Sequence, residues 1–264
     1  MIKVAISGAT GRMGHMLLEA VANADDFELV CALTREGAAE IGQDAFAFLG
    51  KTSGVTITSD INELAKADVL IDFTRPAATL AYMPFCAEHN VGLVIGTTGF
   101  DAEGKTAIEA TSEKVPVVFA PNMSVGVNAA MSLIAKAAEL LADYDCEIVE
   151  MHHKHKVDAP SGTALEMGKR VAAARGVKFE DVAVLSREGY TGERVKGSIG
   201  FATLRGGDVV GDHTVIFAGT GERIEISHKS GSRAGYAQGS LTAARFILKK
   251  NKGLYGMTDV LGLN

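Results

Sequence analysis

Residues 8–14 read Gly-Ala-Thr-Gly-Arg-Met-Gly and directly follow the β-rich run Ile-Lys-Val-Ala-Ile-Ser at 2–7. The next segment, from about 12 to 24, has apolar residues at helical spacing and predicts an amphipathic helix. The three glycines therefore lie in a strand–turn–helix unit, with the spacing Gly-x-x-Gly-x-x-Gly in place of the usual Gly-x-Gly-x-x-Gly. The first glycine suits a tight turn, the second lets a pyrophosphate approach the backbone, and the third lets helix and strand pack closely. The motif predicts a dinucleotide site.

The first half of the chain alternates short apolar runs with helical stretches. The runs suit parallel strands that are covered on both faces, and they lie at 27–33, 69–74, 92–95 and 115–119. This alternation predicts an α/β fold with a Rossmann-like, doubly wound parallel sheet. Because many functions share that fold, alternation alone leaves open a domain that binds no dinucleotide. The glycine motif favours the dinucleotide.

Ligands of such sheets bind at the carboxyl ends of the strands, so the cofactor site is expected to collect residues from several turns. Arg12 in the first turn can place positive charge against the pyrophosphate. The turns at 96–99 and 120–123 can offer amide and hydroxyl groups to a nicotinamide carboxamide and its ribose. The predicted cofactor residues from these three turns are Gly8, Ala9, Thr10, Gly11, Arg12, Met13, Gly96, Thr97, Thr98, Ala120, Pro121, Asn122 and Met123.

The end of the second predicted strand indicates which dinucleotide is preferred. An acidic residue there binds the ribose hydroxyls of NADH, whereas an arginine accommodates a 2′-phosphate. The chain has Thr34-Arg35-Glu36 at this place. Thr34 carries no charge to repel a phosphate and Arg35 can pair with one. We therefore expect NADPH as the preferred cofactor, with Glu36 keeping NADH open as a second.

The second half of the chain changes character. A long helix is predicted at 127–141, a strand at 147–151, and a helix at 163–174 with Ser161 as its cap. From 182 to 229 the chain is rich in β-formers and glycine. The alternating segments in it predict antiparallel strands with one covered face, and they lie at 197–204, 213–218 and 223–228.

Two domains are therefore expected. Residues 1–124, completed by 234–264, form the dinucleotide-binding domain, and an α+β domain of residues 125–233 binds substrate and makes oligomer contacts. A final helix at 234–250 is expected to return to the first domain.

Residues 150–163 read Glu-Met-His-His-Lys-His-Lys-Val-Asp-Ala-Pro-Ser-Gly-Thr. Three imidazoles and two ammonium groups cannot be buried together without a partner, because repulsion and desolvation would be costly. The run 152–156 therefore predicts a cleft that receives negative charge. The Pro-Ser-Gly-Thr turn after it can open a helix and offer backbone N–H groups to an anion. In a chain with a formal net charge of −6, this pattern predicts a small anionic substrate.

Zinc is the alternative ligand for the histidines of this run. Adjacent histidines on an extended segment point in opposite directions, and no cysteine or carboxylate has complementary spacing. We therefore expect no metal. Cys31, Cys86 and Cys146 are scattered within apolar segments and predict buried, reduced thiols of a cytoplasmic protein.

Charge and hydropathy exclude other classes of partner. The net negative charge argues against nucleic acid and membrane surfaces as partners. No apolar run approaches the ~18 residues of a membrane-spanning helix. The first strand begins at Ile2, which leaves no room for a signal peptide.

Several motifs resemble the 4-hydroxytetrahydrodipicolinate (dihydrodipicolinate) reductase family. They are Gly-Ala-Thr-Gly-Arg-Met-Gly at 8–14, Gly-Thr-Thr-Gly at 96–99, the stretch 150–164, Ser-Arg-Glu-Gly at 186–189, Gly-Glu-Arg at 192–194 and Gly-Phe-Ala-Thr-Leu-Arg at 200–205. The resemblance covers the whole chain. It implies NAD(P)H-dependent reduction of 4-hydroxytetrahydrodipicolinate to tetrahydrodipicolinate, in diaminopimelate and lysine biosynthesis. It also implies a homotetramer formed through the sheet of the second domain.

The resemblance implies roles for individual residues. His152 matches the catalytic histidine and Lys156 the proton donor, while His153 contacts substrate. Gly162 and Thr163 match the positions whose N–H groups and hydroxyl hold a substrate carboxylate. A histidine suits acid–base work because its pKa lies near neutrality, and a lysine crowded by cations is a better acid. Some members carry an acidic residue at the position of Thr34, which favours NADH, and this chain departs from that pattern.

Two other functions compete with this interpretation. A nucleotide-binding sensor of NAD(P) redox state would bind the cofactor without turnover, but it would have no use for five basic residues beside an anion-binding turn. A related reductase acting on an aspartate-derived semialdehyde would need different substrate residues from those at 150–164.

Overall fold

The structure is a computed structural model that describes residues 1–263, and the chain divides into two compact units. The first unit comprises Met1–Val125 and the chain from Arg233 onward, and the second comprises Gly126–Ser232. The strands are β1 (Ile2–Ser7), β2 (Phe27–Leu33), β3 (Ile57–Thr58), β4 (Val69–Asp72), β5 (Gly92–Ile95), β6 (Pro116–Phe119), β7 (Asp145–His152), β8 (Ala183–Val184), β9 (Ile199–Arg205), β10 (Gly211–Ala218), β11 (Arg223–Ser230) and β12 (Gly253–Tyr255). The helices are α1 (Arg12–Ala22), α2 (Pro76–Glu88), α3 (Ala102–Ser112), α4 (Val125–Leu140), α5 (Gly162–Ala174), α6 (Phe179–Val182), α7 (Ala234–Ile247) and α8 (Met257–Leu261).

The first unit is built on a seven-stranded parallel sheet with the order β12-β6-β5-β4-β1-β2-β3. The strand order reverses between β1 and β4, which is the switch point of a doubly wound sheet and the place where its ligands bind. The predicted Rossmann-like fold is therefore confirmed. The switch point lies beside the glycine-rich turn that follows β1.

Hydrophobic side chains cover both faces of this sheet. Alternate residues of a strand point to opposite faces, so Val4 and Ile6 pack in one cluster with Leu17 of α1 and Leu241 of α7. Residues of the other face form a second cluster with side chains of α2 and α3, among them Met83, Cys86 and Ile108. The near-continuous apolar runs of the sequence are explained by this double coverage.

The C-terminal part of the first unit differs from the prediction. The sequence predicts a final helix at 234–250, whereas α7 ends at Ile247 and is followed by β12 and α8. Strand β12 pairs in parallel with β6, with Leu254 opposite Val117. A strand of three residues is too short to show a period in the sequence, and only its place beside β6 makes it a strand.

The second unit has a mixed five-stranded sheet with the order β11-β10-β7-β9-β8. The prediction of antiparallel strands is correct for β10 and β11, which pair antiparallel with each other, and β10 also pairs antiparallel with β7. It is wrong for β9, which pairs in parallel with β7 and β8. The chain between β7 and β9 contains α5, and a crossover helix returns the chain in the same direction. Side chains of α4 and α5 pack with alternate residues of β7, such as Cys146 and Ile148, so one face of the sheet is covered.

No helix within residues 1–263 combines the length and the apolar character that a membrane crossing requires.

Candidate active site

The glycine-rich turn of the first unit fits a dinucleotide pyrophosphate. Gly8 adopts φ +64°, the left-handed region that suits glycine, and a Cβ added to Gly14 would lie 2.1 Å from the carbonyl oxygen of Gly8. Helix α1 follows Gly11, and within the described part of the chain no side chain caps its N-terminus and no acid lies in its first turn. The first N–H groups of a helix lack intrahelical acceptors, so this end of α1 can bind an anion.

The end of β2 is tied to the same turn. The Oγ1 atoms of Thr10 and Thr34 lie 2.9 Å apart, and the Ala9 N–H donates to the carbonyl of Leu33 at 2.9 Å. Thr34 is buried, whereas Arg35, like Arg12, is exposed. Thr34 therefore shapes the turn through its hydroxyl.

Asp72, which sequence reasoning missed, organises three strand ends. Its carboxylate is fully buried and accepts hydrogen bonds from hydroxyl groups of Ser7 at 2.5 Å, Thr74 at 2.6 Å, Thr97 at 3.1 Å and Thr79. The Oγ1 atom of Thr97 also accepts the Thr74 N–H at 2.8 Å. These bonds connect the carboxyl ends of β1, β4 and β5. An acid that ends an apolar strand and precedes several threonines is the signal that could have identified it.

The other predicted cofactor residues are placed differently from one another. Thr97 is buried, and its hydroxyl belongs to the Asp72 cluster, whereas Thr98 is exposed. A Cβ on Gly96 would lie 2.3 Å from the Phe73 ring, so this turn packs too closely for a side chain. Ala120 and Met123 are buried in a core cluster, which leaves only their backbone groups for a ligand.

The turn 121–123 is polar at its centre. Pro121 is exposed, Asn122 is partly buried, and Oδ1 of Asn122 accepts the Ser124 N–H at 2.9 Å. Met13 lies in the first turn of α1 and is partly buried.

In the second unit, two polar residues occupy the covered face of β7. Glu150 and His152 follow Cys146 and Ile148 in the alternation, and both are buried. The Nδ1 atom of His152 lies 2.6 Å from Oε2 of Glu150. The histidine predicted to be catalytic therefore has a carboxylate partner that sequence reasoning did not identify.

Glu150 is bound by three groups. Arg205 at the end of β9 donates to both of its oxygens, from Nη1 at 2.7 Å and from Nη2 at 2.9 Å, and the Ser161 N–H donates at 3.0 Å. Burial raises the pKa of Glu150, but the hydrogen bonds from Arg205, His152 and Ser161 outweigh it, so the pKa lies below its usual value. The Glu150 carboxyl is therefore ionised at neutral pH.

A further buried histidine, His213 of β10, adjoins this group. Its ring lies 5.0 Å from that of His152, and its Nε2 atom lies 2.9 Å from Oγ of Ser161. Burial, together with the nearby His152, lowers the pKa of His213 to about 4. His213 is thus a neutral ring at physiological pH.

The predicted turn forms at the start of α5, with Ser161 as the cap residue. Ser161 caps the helix by accepting the Ala164 N–H at 3.2 Å. Gly162 is exposed and open space lies where its side chain would be, while Thr163 is partly buried. The N–H group of Ser161 already binds Glu150, so Gly162 and Thr163 are the first residues of the turn that can face a ligand.

The basic run does not form one cationic surface. Nζ of Lys156 lies 2.8 Å from Oδ1 of Asp158, while Lys154 and His155 are exposed. The hydrogen bond from Lys156 lowers the pKa of Asp158. The expected crowding of Lys156 by cations is therefore offset by a carboxylate that lies in the same motif. His153 is partly buried, and its Nδ1 atom has no hydrogen-bond partner among the described residues.

Metal ligands and cysteine thiols are the other groups that could take part in chemistry. Among residues 1–263, no three or more His, Cys, Asp or Glu side chains are grouped as a metal site. Cys31, Cys86 and Cys146 are buried, and burial raises the pKa of each thiol to about 12. Thiols with so high a pKa are poor nucleophiles.

Comparisons with known proteins agree with one another across the chain. The model described as Dihydrodipicolinate reductase, N-terminus, matches residues 2–123, and that described as Dihydrodipicolinate reductase, C-terminus, matches residues 126–261. A 4-hydroxy-tetrahydrodipicolinate reductase of Janthinobacterium sp. (strain Marseille) is 59% identical over 264 residues, covering 99% of this chain and 98% of the relative. The reductase of Herminiimonas arsenicoxydans is 60% identical with the same coverage.

A solved structure extends this similarity to the fold. The dipicolinate-bound dihydrodipicolinate reductase from Paenisporosarcina sp. TG-14 superposes with a TM-score of 0.79 at 26% identity. The match covers 98% of this chain and 99% of that one. The resemblance noted in the sequence motifs is confirmed, and the chain belongs to the dihydrodipicolinate reductase family.

Proposed function

We propose that this protein reduces 4-hydroxytetrahydrodipicolinate to tetrahydrodipicolinate with NAD(P)H, as a step of diaminopimelate and lysine biosynthesis. The observation that carries the proposal is near-full-length identity with relatives that bear this reductase name. The geometry agrees with it, because the motif at 150–164 forms a polar cluster next to a helix N-terminus, as a dicarboxylate substrate requires.

The first unit is proposed to hold the cofactor. Bound NAD(P)H supplies the hydride. The turn from Gly8 to Met13 and the uncapped start of α1 bind the pyrophosphate, with Arg12 adding positive charge. Groups of the turns at 96–98 and 120–123 bind the nicotinamide and its ribose.

NADPH is proposed as the preferred cofactor and NADH as the second. Arg35 is exposed at the end of β2, where a guanidinium can pair with a 2′-phosphate. The hydroxyl of Thr34 is hydrogen-bonded to that of Thr10, and Thr34 has no carboxylate to bind the ribose hydroxyls. Both features favour the phosphorylated dinucleotide.

The second unit is proposed to hold and protonate the substrate. Gly162 and Thr163 bind one carboxylate at the start of α5, and His153 contacts the substrate. His152, with Nδ1 bound to Glu150, acts as the acid–base histidine, and Lys156 donates the proton that completes the reduction. The substrate loses its hydroxyl group as water before the hydride adds.

The test is a coupled assay in which the synthase makes the substrate from pyruvate and aspartate semialdehyde, followed by the absorbance of the reduced nicotinamide. Turnover with NADPH is expected, with a lower kcat/KM for NADH. Arg35→Ala should weaken NADPH more than NADH, and an equal loss would remove Arg35 from 2′-phosphate recognition. A folded protein without turnover on either cofactor would instead favour the redox sensor.

A further inference from the structure

We infer that Glu150 is a positioning residue for the proposed reaction: its one buried carboxylate orients the His152 imidazole and the first turn of α5 together, and Arg205 orients the carboxylate. The inference deepens the proposed function and rests on it, because the roles of His152 and of the α5 turn come from there. Neither Glu150 nor Arg205 is placed in contact with substrate.

The carboxylate of Glu150 is held at both oxygens. Oε2 accepts from Nη1 of Arg205 and from Nδ1 of His152, and Oε1 accepts from Nη2 of Arg205 and from the Ser161 N–H. A guanidinium that binds both oxygens defines the plane of the carboxylate. With two donors at each oxygen, rotation of the group would break several bonds at once, so its orientation is determined.

This orientation selects one form of His152. An ionised carboxylate only accepts hydrogen bonds, so the proton of the imidazole must lie on Nδ1 when the ring is neutral. Nε2 is then the nitrogen left for proton exchange. The ring also lies against Gly211, where an added Cβ would come within 3.0 Å of Nε2. Glu150 thus determines the tautomer, and the absence of a side chain at Gly211 leaves room for the ring.

The same carboxylate determines where α5 begins. It binds the N–H of the cap residue Ser161, while Nη2 of Arg205 also donates to the carbonyl of Asp158 at 2.6 Å. The turn 158–161 is therefore bound to Arg205 of β9 at its first residue and to Glu150 of β7 at its last. A change at Glu150 would move His152 and the proposed carboxylate-binding residues Gly162 and Thr163 relative to each other.

A second glutamate–arginine pair on β7, which is partly buried, offers a control. Glu147 lies on the same strand but on the opposite face, and its carboxylate binds Arg187 and Arg194 at 2.7 to 3.0 Å. Glu147 is thus held by two arginines where Glu150 is held by one, and it binds neither a histidine nor the α5 turn. Glu147→Gln is therefore the control for loss of a glutamate–arginine pair on β7.

The experiment compares Glu150→Gln, Glu150→Asp and Arg205→Lys with this control. In Glu150→Gln an amide NH₂ opposes a donor of Arg205 or His152, so we expect kcat to fall by at least about tenfold while the Kd of NADPH changes by less than about twofold. A carboxylate that holds a histidine tautomer is worth up to about 10⁴-fold in a hydrolase triad. Glu150→Asp keeps the charge but has a shorter side chain, and Arg205→Lys keeps the charge but cannot bind both carboxylate oxygens. Both variants should lose less kcat than Glu150→Gln.

A second readout does not need turnover. In ¹⁵N-histidine-labelled protein, the Nδ1 and Nε2 shifts of His152 report its tautomer, assigned by their loss in His152→Asn. We expect Nδ1 to be protonated in the wild type and in Glu147→Gln, and a mixture of tautomers in Glu150→Gln. An unchanged tautomer in a folded Glu150→Gln protein overturns the inference, as does an equal loss of kcat in Glu147→Gln.

Folding and function are separated in the same set. Circular dichroism establishes which variants are folded, and if Glu150→Gln is not, the tautomer and kcat of Glu150→Asp and Arg205→Lys decide in its place. A wild-type tautomer and rate in both of these would overturn the inference. Absence of wild-type turnover would refute the proposed function. The ¹⁵N shifts of His152 would still show whether Glu150 determines its tautomer.

Discussion

At the scale of single residues, two buried carboxylates organise the polar ends of the two sheets. Asp72 is surrounded by four hydroxyl groups, and Glu150 by an arginine, a histidine and a backbone amide. Burying an ionised carboxylate is costly unless hydrogen bonds replace its water. Each acid therefore connects several segments, because some of its donors lie far away in the chain, such as Ser7 for Asp72 and Arg205 for Glu150.

Lys156 is predicted to act in catalysis rather than in cofactor binding. Lys156→Ala removes the proposed proton donor and should lower kcat by about 10²- to 10⁴-fold, which is the usual range for one acid–base group. The Kd of NADPH, measured by fluorescence titration, should stay nearly the same. Lys154→Ala is the matched control, since Lys154 is an exposed lysine of the same motif. Unchanged turnover in Lys156→Ala would remove this residue from the mechanism.

His213 is predicted to make the folded state sensitive to acid. Its pKa falls from 6.5 to about 4 on folding, chiefly because the ring is buried. Below pH ~6.5 the unfolded chain therefore binds a proton that the folded protein excludes. The free energy of unfolding decreases as the pH is lowered from ~6.5 to ~4. One such group contributes a slope of about 1.4 kcal/mol per pH unit.

The measurement is urea unfolding between pH ~4 and ~6.5 for the wild type and His213→Gln. The glutamine retains a polar group to meet Oγ of Ser161 but does not titrate. The wild-type free energy of unfolding should fall more steeply than that of the variant, by up to the slope of one proton. Parallel slopes would show that His213 titrates alike in both states.

At the scale of elements, the glycine-rich turn depends on close packing of β1 and α1. A Cβ at Gly14 would meet the backbone of Gly8 and Ala9 at 2.1 to 2.7 Å, and backbone atoms cannot give way as a flexible side chain can. Gly14→Ala should lower the free energy of unfolding by about 1–3 kcal/mol and weaken the binding of both NADPH and NADH.

Chemical denaturation and dinucleotide titration check this prediction. Gly231→Ala is the control, because a Cβ at Gly231 would meet no atom within 4 Å. A Gly14→Ala protein as stable as this control, with wild-type dinucleotide affinity, would contradict the packing argument.

Strand direction in the second unit shows what alternation can predict. The segments 213–218 and 223–228 were correctly predicted as antiparallel, because a short connection between neighbouring strands reverses the chain. The segment 197–204 alternates in the same way but pairs in parallel with β7. Alternation reports that one face is covered, and it carries no information about which neighbour a strand has.

At the scale of the whole molecule, the open face of the second unit's sheet is the proposed tetramer contact. Helices α4 and α5 cover the other face, whereas Met151 and Leu204 are paired on the open one, and Leu204 is half exposed. Apolar side chains that lie side by side on an open sheet face, with one of them half exposed, are typical of subunit contacts.

Light scattering tests this proposal. The wild type should have a mass about four times the 27.6 kDa of one chain, and Leu204→Glu should lower it because a buried, unpaired charge is costly. Leu140→Glu is the control, since Leu140 is an exposed leucine at the end of α4. A monomeric wild type, or a Leu204→Glu protein of unchanged mass, would contradict the proposed contact.

Features that are encoded in neighbouring residues could be predicted from the sequence. The glycine spacing at 8–14, the apolar runs of the parallel strands, and the cap at Ser161 are local patterns, and the structure forms all three. Local patterns can be read because turn geometry, strand coverage and helix capping depend on residues within a few positions.

Which distant groups meet depends on the tertiary fold. Arg205 lies 55 positions from Glu150, and it reaches the carboxylate because the register of β9 sets it beside His152. The bond between Thr10 and Thr34 and the pairing of β12 with β6 likewise join separate segments. Sheet register is determined by the packing of a whole face, so a local sequence pattern does not predict these partners.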